Sequence, residues 1–330
     1  MGGAIGTADG VDGVDGVDGV DGVSGVVVAM GAHARPIGAS PGRERPFTGR
    51  KWPFDPDPQW PNASLPTNGF PRGYWAAVNF AISVIGEFVR AKSDDGLEWH
   101  SKALEDKLRG ILDNADLDDE LKELAELVEY RGGVSAEALT QRSGVWNYWR
   151  GILMFDAWSH PRTADLIEVA QRVGQFQAMH YKRIFNRTRP SQYSMVLMPP
   201  IDVPGHASFP SGHATEAYLL SHCLAAVMPA AANANAKDKD GKEIPDSSPL
   251  RRMAQRVARN REVLGVHYRS DSKAGEVLAE RSFAILKNCA SVKELIAEAR
   301  VEWGQSADGS PGPSGAKGKP AGAAKRKTGK

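Results

Sequence analysis

The 330-residue chain carries 41 Lys and Arg against 40 Asp and Glu, a formal net charge of +1, with 41% hydrophobic and 25% charged residues. These proportions exclude a wholly disordered, fibrous or membrane-embedded chain, and the near-zero balance speaks against a dedicated nucleic-acid binder, which shows a marked basic excess. The only two cysteines, Cys223 and Cys289, lie in apolar helical stretches and read as buried thiols rather than a disulfide framework or a zinc site.

Residues 1–45 form a glycine-rich head with a Val-Asp-Gly repeat from Val11 to Gly22, expected to be disordered. The repeat lacks the Gly-Gly-x-Gly-x-Asp pattern of calcium-binding β-rolls. The start has no Lys or Arg, and the apolar run Val26 to Met30 is too short for a secretory signal. No export signal is legible, so the cytoplasm is the default compartment and the periplasm stays open. Residues 46–72 hold seven prolines with Trp52 and Trp60, which suggests an irregular segment wrapped over the core.

Helical periodicity runs through residues 73–304. In Tyr74–Arg90 the residues Trp75, Val78, Ala81, Ile82, Ile85 and Phe88 fall on one side at three- and four-residue steps. Similar patterns predict helices at Trp99–Leu112, Leu117–Tyr130, Ala136–Arg142, Trp146–Trp158, Ala164–Phe185, His213–Val227, Leu250–Leu264, Lys273–Leu286 and Val292–Trp303. Strand-like alternation is nearly absent, so the fold class is all-α. Two loops interrupt the pattern, Ser191–Pro210 and Ala231–Pro249, the second with Asp238, Asp240 and Gly241 in a polar surface turn. The apolar stretch Ala217–Ala232 contains His222 and falls short of the roughly 20 residues of a spanning helix, so no transmembrane segment is expected. Residues 305–330 read as a solvated basic tail.

Three segments carry chemistry. In Lys182-Arg-Ile-Phe-Asn-Arg-Thr-Arg189-Pro190, a continued helix would bring Lys182 and Arg189 to one face, with Pro190 marking its end. In Pro210-Ser211-Gly212-His213, a loop enters a helix. Ser211 can cap it, Gly212 lets the backbone approach a ligand, and the N–H groups of a helix start bind anions. In Arg261-x5-His267-x3-Asp271, Asp271 can hold one nitrogen of His267 and leave the other for attack or coordination. Together Lys182, Arg189 and Arg261, a hydroxyl and a backbone N–H can surround a tetrahedral oxyanion between two histidines. Each segment alone is also compatible with a basic helix end, a simple cap or a surface His–Asp pair.

As an ordered triplet, Lys-x6-Arg-Pro, Pro-Ser-Gly-His and Arg-x5-His-x3-Asp over residues 182–271 resembles the type 2 phosphatidic acid phosphatase (PAP2)/vanadium haloperoxidase superfamily. The resemblance implies a helical bundle of that type. It implies that Lys182, Arg189, Ser211, Gly212 and Arg261 bind the oxyanion, that His213 is the general acid/base, and that His267 is the nucleophile or the vanadate ligand, oriented by Asp271. Asn260 stands where the family often has Ser, and Arg269, where it commonly has Pro, adds a cation expected near the site mouth.

The same cage serves two chemistries. As a phosphatase the chain needs no cofactor. His267 forms a phosphohistidine from a small phosphate ester, and His213 protonates the leaving group and then activates water. As a haloperoxidase it holds vanadate on His267 and uses hydrogen peroxide to oxidise halide. The modest core favours the phosphatase. His206, seven residues before His213, favours the alternative, because some bromoperoxidases of the family carry a histidine there. A non-catalytic oxyanion-binding helical protein is the third reading, and the presence of both histidines with Asp271 argues against it. On these readings His213 and His267 are essential, whereas Arg183 and Arg187 matter less. The sequence leaves the oligomeric state open.

Overall fold

The computed structural model describes residue 70 and residues 72–141 and 144–309; the expected head at 1–45, most of the 46–72 wrap and nearly all of the 305–330 tail lie outside the described residues. Among the described residues the chain is mostly helical, and the only β-pairing within them is an isolated bridge between Lys237 and Glu243 in the polar loop. The helices are α1 (Ala77–Phe88), α2 (Lys102–Asp113), α3 (Leu117–Leu127), α4 (Arg131–Thr140), α5 (Pro161–Phe185), α6 (Pro190–Tyr193), α7 (Gly212–Ala225), α8 (Ala230–Asn233), α9 (Pro249–Val263), α10 (Arg269–Leu286) and α11 (Ala290–Glu302).

Helix α7 is the axis of the bundle. Twelve of its fourteen residues are buried, and it packs against α5, α9 and α10. A helix apolar on all sides belongs at the centre of a domain rather than on its surface. The main core gathers α1, α5, α7, α9 and α11 around Trp149, Leu166, Val173, Leu219, Leu220, Leu224 and Val292. Cys223 and Cys289 are buried there as free thiols, and burial pushes the Cys289 thiol up to about 11.

The helix ends explain where the chain turns. Pro161 opens α5, where a missing N–H costs nothing. The next two amides, of Arg162 and Thr163, both donate to the Glu302 carboxylate at the end of α11, at 2.6 and 2.9 Å. Those orphan donors are met from the far end of the domain. Ser101, Asp116, Ser211 and Ser248 each cap their helices through a side-chain oxygen. No helix among the described residues is long and apolar enough to cross a membrane.

Three expectations are corrected. The Trp146–Trp158 stretch is not an α-helix: a 3-10 turn covers Val145–Gly151, the chain opens after it, and Arg150 Nε donates forward to the Phe155 carbonyl at 2.8 Å. Its periodicity came from aromatics that fill the core individually, Trp149 being fully buried. The inward face of α1 is Ala77, Phe80, Ala81, Val84 and Phe88, whereas Ile82 is 56% exposed and Trp75 41%. That helix is apolar on most of its circumference, so two stripes fit the same spacing. The predicted loop at Ser191–Pro210 contains the single-turn α6 and a 3-10 turn at Met195–Leu197.

Helices α7 and α10 pack closely at Gly275. A Cβ on Gly275 of α10 would lie 2.8 Å from Ala214 Cβ and 2.9 Å from the Ser211 carbonyl and the Thr215 amide. Two of those three atoms are backbone and cannot give way. We therefore expect Gly275→Ala to lower stability by about 1–3 kcal/mol, measured as a drop in the urea midpoint, and to cost activity beyond the loss of folded protein because Ser211 is displaced.

Candidate active site

Lys182 lies in the last turn of α5 and is 1% exposed. Its Nζ donates to the carbonyls of Ala207 and Ser208, at 2.8 and 3.0 Å. Helix α5 ends at Phe185, and Asn186 turns the chain through left-handed backbone (φ 45°). Arg189 is thus in extended backbone as the N-cap of α6. The expected shared helical face of Lys182 and Arg189 is not how they meet. The chain reverses, and Pro190 begins a helix rather than ending one.

Arg189, 2% exposed, spends its guanidinium on the site itself. Nε donates to the His206 carbonyl at 3.0 Å, Nη1 to the Val266 carbonyl at 2.8 Å, and Nη2 meets His206 Nδ1 at 3.0 Å. Nη1 also lies 3.1 Å from His267 Nε2. Arginine has no acceptor, so Nε2 receives this bond.

The second segment follows a cis Phe209–Pro210 peptide. Ser211 caps α7 by accepting from the Ala214 amide, and its own N–H donates to the Asp271 carbonyl at 3.0 Å. Gly212 and His213 form the first turn, buried, with the imidazole 1% exposed. The amides of that turn point outward from the positive end of the helix dipole.

The third segment is shaped by a Schellman turn. Gly265 has φ +75°, its N–H bonds the Glu262 carbonyl, and the Val266 N–H bonds the Arg261 carbonyl, at 2.8 and 3.2 Å. A Cβ on Gly265 would also sit 3.0 Å from Arg131 Nη2. The turn delivers His267 directly before α10, whose N-cap is Tyr268. Arg261, 1% exposed, is hydrogen-bonded to the Ala138 carbonyl of α4. Asn260 donates to Glu137 and Gln141, both at 3.0 Å.

Asp271, at the third position of α10, is fully buried. One oxygen, Oδ2, accepts from the Tyr268 amide at 3.1 Å and from His267 Nδ1 at 2.9 Å. The first bond is the backward half of a capping box. The second fixes the tautomer: with Nδ1–H donated to the carboxylate, Nε2 carries the lone pair, in agreement with the Arg189 donor facing it. Burial alone would raise the Asp271 carboxyl, but the hydrogen bond from His267, the Arg187 charge and the Tyr268 amide hold it below its ordinary range.

The structure brings Lys182, Arg189, His206, Ser211, His267 and Asp271 together through these bonds. His213 lies two residues beyond Ser211 in the same first turn of α7, buried. Arg261 is buried at the end of α9, joined to His267 by the Schellman turn. Arg269, at the first position of α10, has its side chain 68% exposed and reaches Glu123 at 3.4 Å. An open cleft of about 830 Å³ between α3 and α9, lined by Glu123, Glu126, Tyr130 and Arg259 among others, contains none of the site residues.

Two participants escaped the sequence reading. Arg187, its side chain 11% exposed, is ion-paired with Asp271 and Glu120 rather than peripheral. Glu120 on α3 is 2% exposed. Its legible signal was a carboxylate set in the apolar stripe of Leu117, Leu121 and Leu124. No group of three or more His, Cys, Asp or Glu among the described residues is placed to hold a metal ion. The chain matches no protein-family model and no curated protein.

A depressed buried carboxyl makes a signed prediction. Its stabilising contribution is fully present above the unfolded value of 3.8 and is lost as pH falls through the lower folded value. Asp271→Asn should therefore be destabilised relative to wild type at neutral pH. The gap should narrow steadily below about pH 4, read from urea midpoints across pH.

Proposed function

We propose that this chain is a phosphatase that hydrolyses phosphate monoesters through a phosphohistidine on His267, as a member of the PAP2 group. The observation that carries this reading is the His267 ring, with Nδ1–H donated to buried Asp271 and the Nε2 lone pair turned toward the Arg189 guanidinium. An in-line attack needs Nε2 unprotonated and directed at phosphorus; the Nδ1–H bond to Asp271 leaves Nε2 unprotonated, and the Arg189 donor that meets it would pass to a phosphoryl oxygen when substrate takes its place.

The steps follow from the groups present. Nε2 of His267 attacks phosphorus, and the bond to the ester oxygen breaks. His213 gives its proton to the departing alkoxide. A water then loses a proton to His213 and attacks the phosphoryl group, breaking the P–N bond and releasing inorganic phosphate. Lys182, Arg189 and Arg261 neutralise the non-bridging oxygens, with the Ser211 hydroxyl and the Gly212 amide as neutral donors. The Asp271 carboxylate stabilises the positive charge that develops on the His267 ring.

A second reading is favoured by one contact. His206 meets Arg189 through its ring and its carbonyl, so the histidine that suggested a bromoperoxidase does touch the cage. Vanadate, an anion of the same shape as phosphate, fits the same donor set: Nε2 of His267, with Lys182, Arg189 and Arg261 around it. Bound there, it would supply peroxide activation for halide oxidation.

The test is p-nitrophenyl phosphate hydrolysis without added metal, alongside bromination with vanadate, peroxide and bromide. Phosphate release is expected, with kcat falling at least about a thousandfold in His267→Ala and in His213→Ala. Exposed Arg183→Ala should stay within about threefold of wild type. Vanadate-dependent bromination without phosphate release would replace the phosphatase by the haloperoxidase. Equal background from wild type and His267→Ala in both assays would leave a non-catalytic anion binder.

A further inference from the structure

Behind the His267–Asp271 pair lies a second layer that the motif pattern does not contain. Arg187 Nη1 donates to Asp271 Oδ1 at 2.8 Å and to Ser270 Oγ at 2.6 Å, and its Nη2 donates to Glu120 Oε2 at 2.7 Å. The guanidinium carbon sits 3.7 Å from the centre of the Tyr268 ring. Glu120 in turn accepts from the Ser270 amide at 2.7 Å and the Ser270 hydroxyl at 3.0 Å. Arg187, Glu120 and Asp271 are 11%, 2% and 0% exposed.

The geometry has a mechanical meaning. A carboxylate turns about its Cβ–Cγ bond in a broad, roughly two-fold well. The bonds from His267 and the Tyr268 amide both end on Oδ2 and leave that rotation soft. The Arg187 bond ends on the other oxygen and closes it. Arg187 in turn is set by its bond to Glu120, and Glu120 is fixed by an orphan amide of the α10 first turn. A chain of single bonds thus runs from α3 to the nucleophilic nitrogen.

The charges fit the same role. Two buried carboxylates face one guanidinium, so the group carries one net negative charge beside a neutral His267. That excess is cancelled when the ring becomes cationic on bonding to phosphorus. Burial disfavours a charged Arg187, but Asp271 and Glu120 outweigh it and raise its pKa above the ordinary value, so the cation is permanent.

We propose that Arg187, braced by Glu120, is a positioning residue for His267: acting through Asp271, it fixes the ring plane and thereby the direction of the Nε2 lone pair. The kinetic consequence rests on the phosphatase reading; the geometric one does not.

The experiment measures both on the full chain in Arg187→Ala, Arg187→Lys and Glu120→Gln. The first readout is kcat and KM for p-nitrophenyl phosphate. The second is the far-downfield proton resonance of His267 Nδ1–H, assigned by its loss in His267→Asn. Arg187→Ala should lower kcat about 10- to 100-fold with KM within about threefold, and should shift or broaden the resonance. Arg187→Lys should recover part of both, and Glu120→Gln should move both in the same direction by less. A role in stability alone would lower the melting temperature while leaving kcat per folded molecule and the resonance unchanged, and that result overturns the proposal. So does a fall in kcat with an unmoved resonance. If wild type shows no phosphatase turnover, the functional reading fails, while the resonance still decides the positioning role. If Arg187→Ala does not fold, the volume-conserving Glu120→Gln decides it by the same two readouts.

Discussion

A single carboxylate, fully buried at the start of α10, ties the candidate site to the fold. Asp271 completes the capping box of its own helix, holds the Nδ1 side of His267, and takes the Arg187 guanidinium on its other oxygen. Its carbonyl receives the Ser211 amide, so the start of α7 is fastened to the start of α10 at the same residue. An isolated buried carboxylate is costly, and only full hydrogen bonding makes it tolerable. Here each bond that offsets the burial also positions a site residue. Two helix starts therefore converge on one point: the amides at the start of α10 are taken up by Asp271 and Glu120, while Gly212 and His213 open the first turn of α7 beside it.

The buried cations follow a related logic. Lys182 and Arg189 donate to the carbonyls of Ala207, Ser208, His206 and Val266, all in the irregular segments on either side of the site. Carbonyl dipoles hold such side chains in place and fix the loops that supply them. Arg131 does the same for the loop between α6 and α7. From α4 it clasps the carbonyls of Leu197, Met198 and Val263, joining that loop to the Schellman turn that carries His267.

Much of this was legible in the sequence. The ordered motifs named Lys182, Arg189, Ser211, His267 and Asp271, and the structure joins them; the four-residue step from His267 to Asp271 foretold the hydrogen bond between them. The helical class followed from periodicity. Local spacing could not show how Lys182 and Arg189 meet, because the left-handed turn at Asn186 breaks the helix that spacing assumes. Nor could it rank Arg187 above Arg183. One points into the fold and one into solvent, and only the packing of α3 decides which. Glu120 is 150 residues from its partner Ser270, a distance no local pattern spans.

The bond from Glu302 to the first amides of α5 has a consequence for biogenesis. Chains are made from the N-terminus, and the carboxylate that completes α5 is synthesised 140 residues after it. At usual ribosomal speeds that is a delay of about ten seconds. Throughout it, the helix carrying Lys182 waits with an unfinished end, and α7, which packs along it, lacks a settled neighbour. The nascent polypeptide therefore carries α5 and α7 without their final partner for that interval, a window in which their apolar faces can meet other chains unless they are shielded.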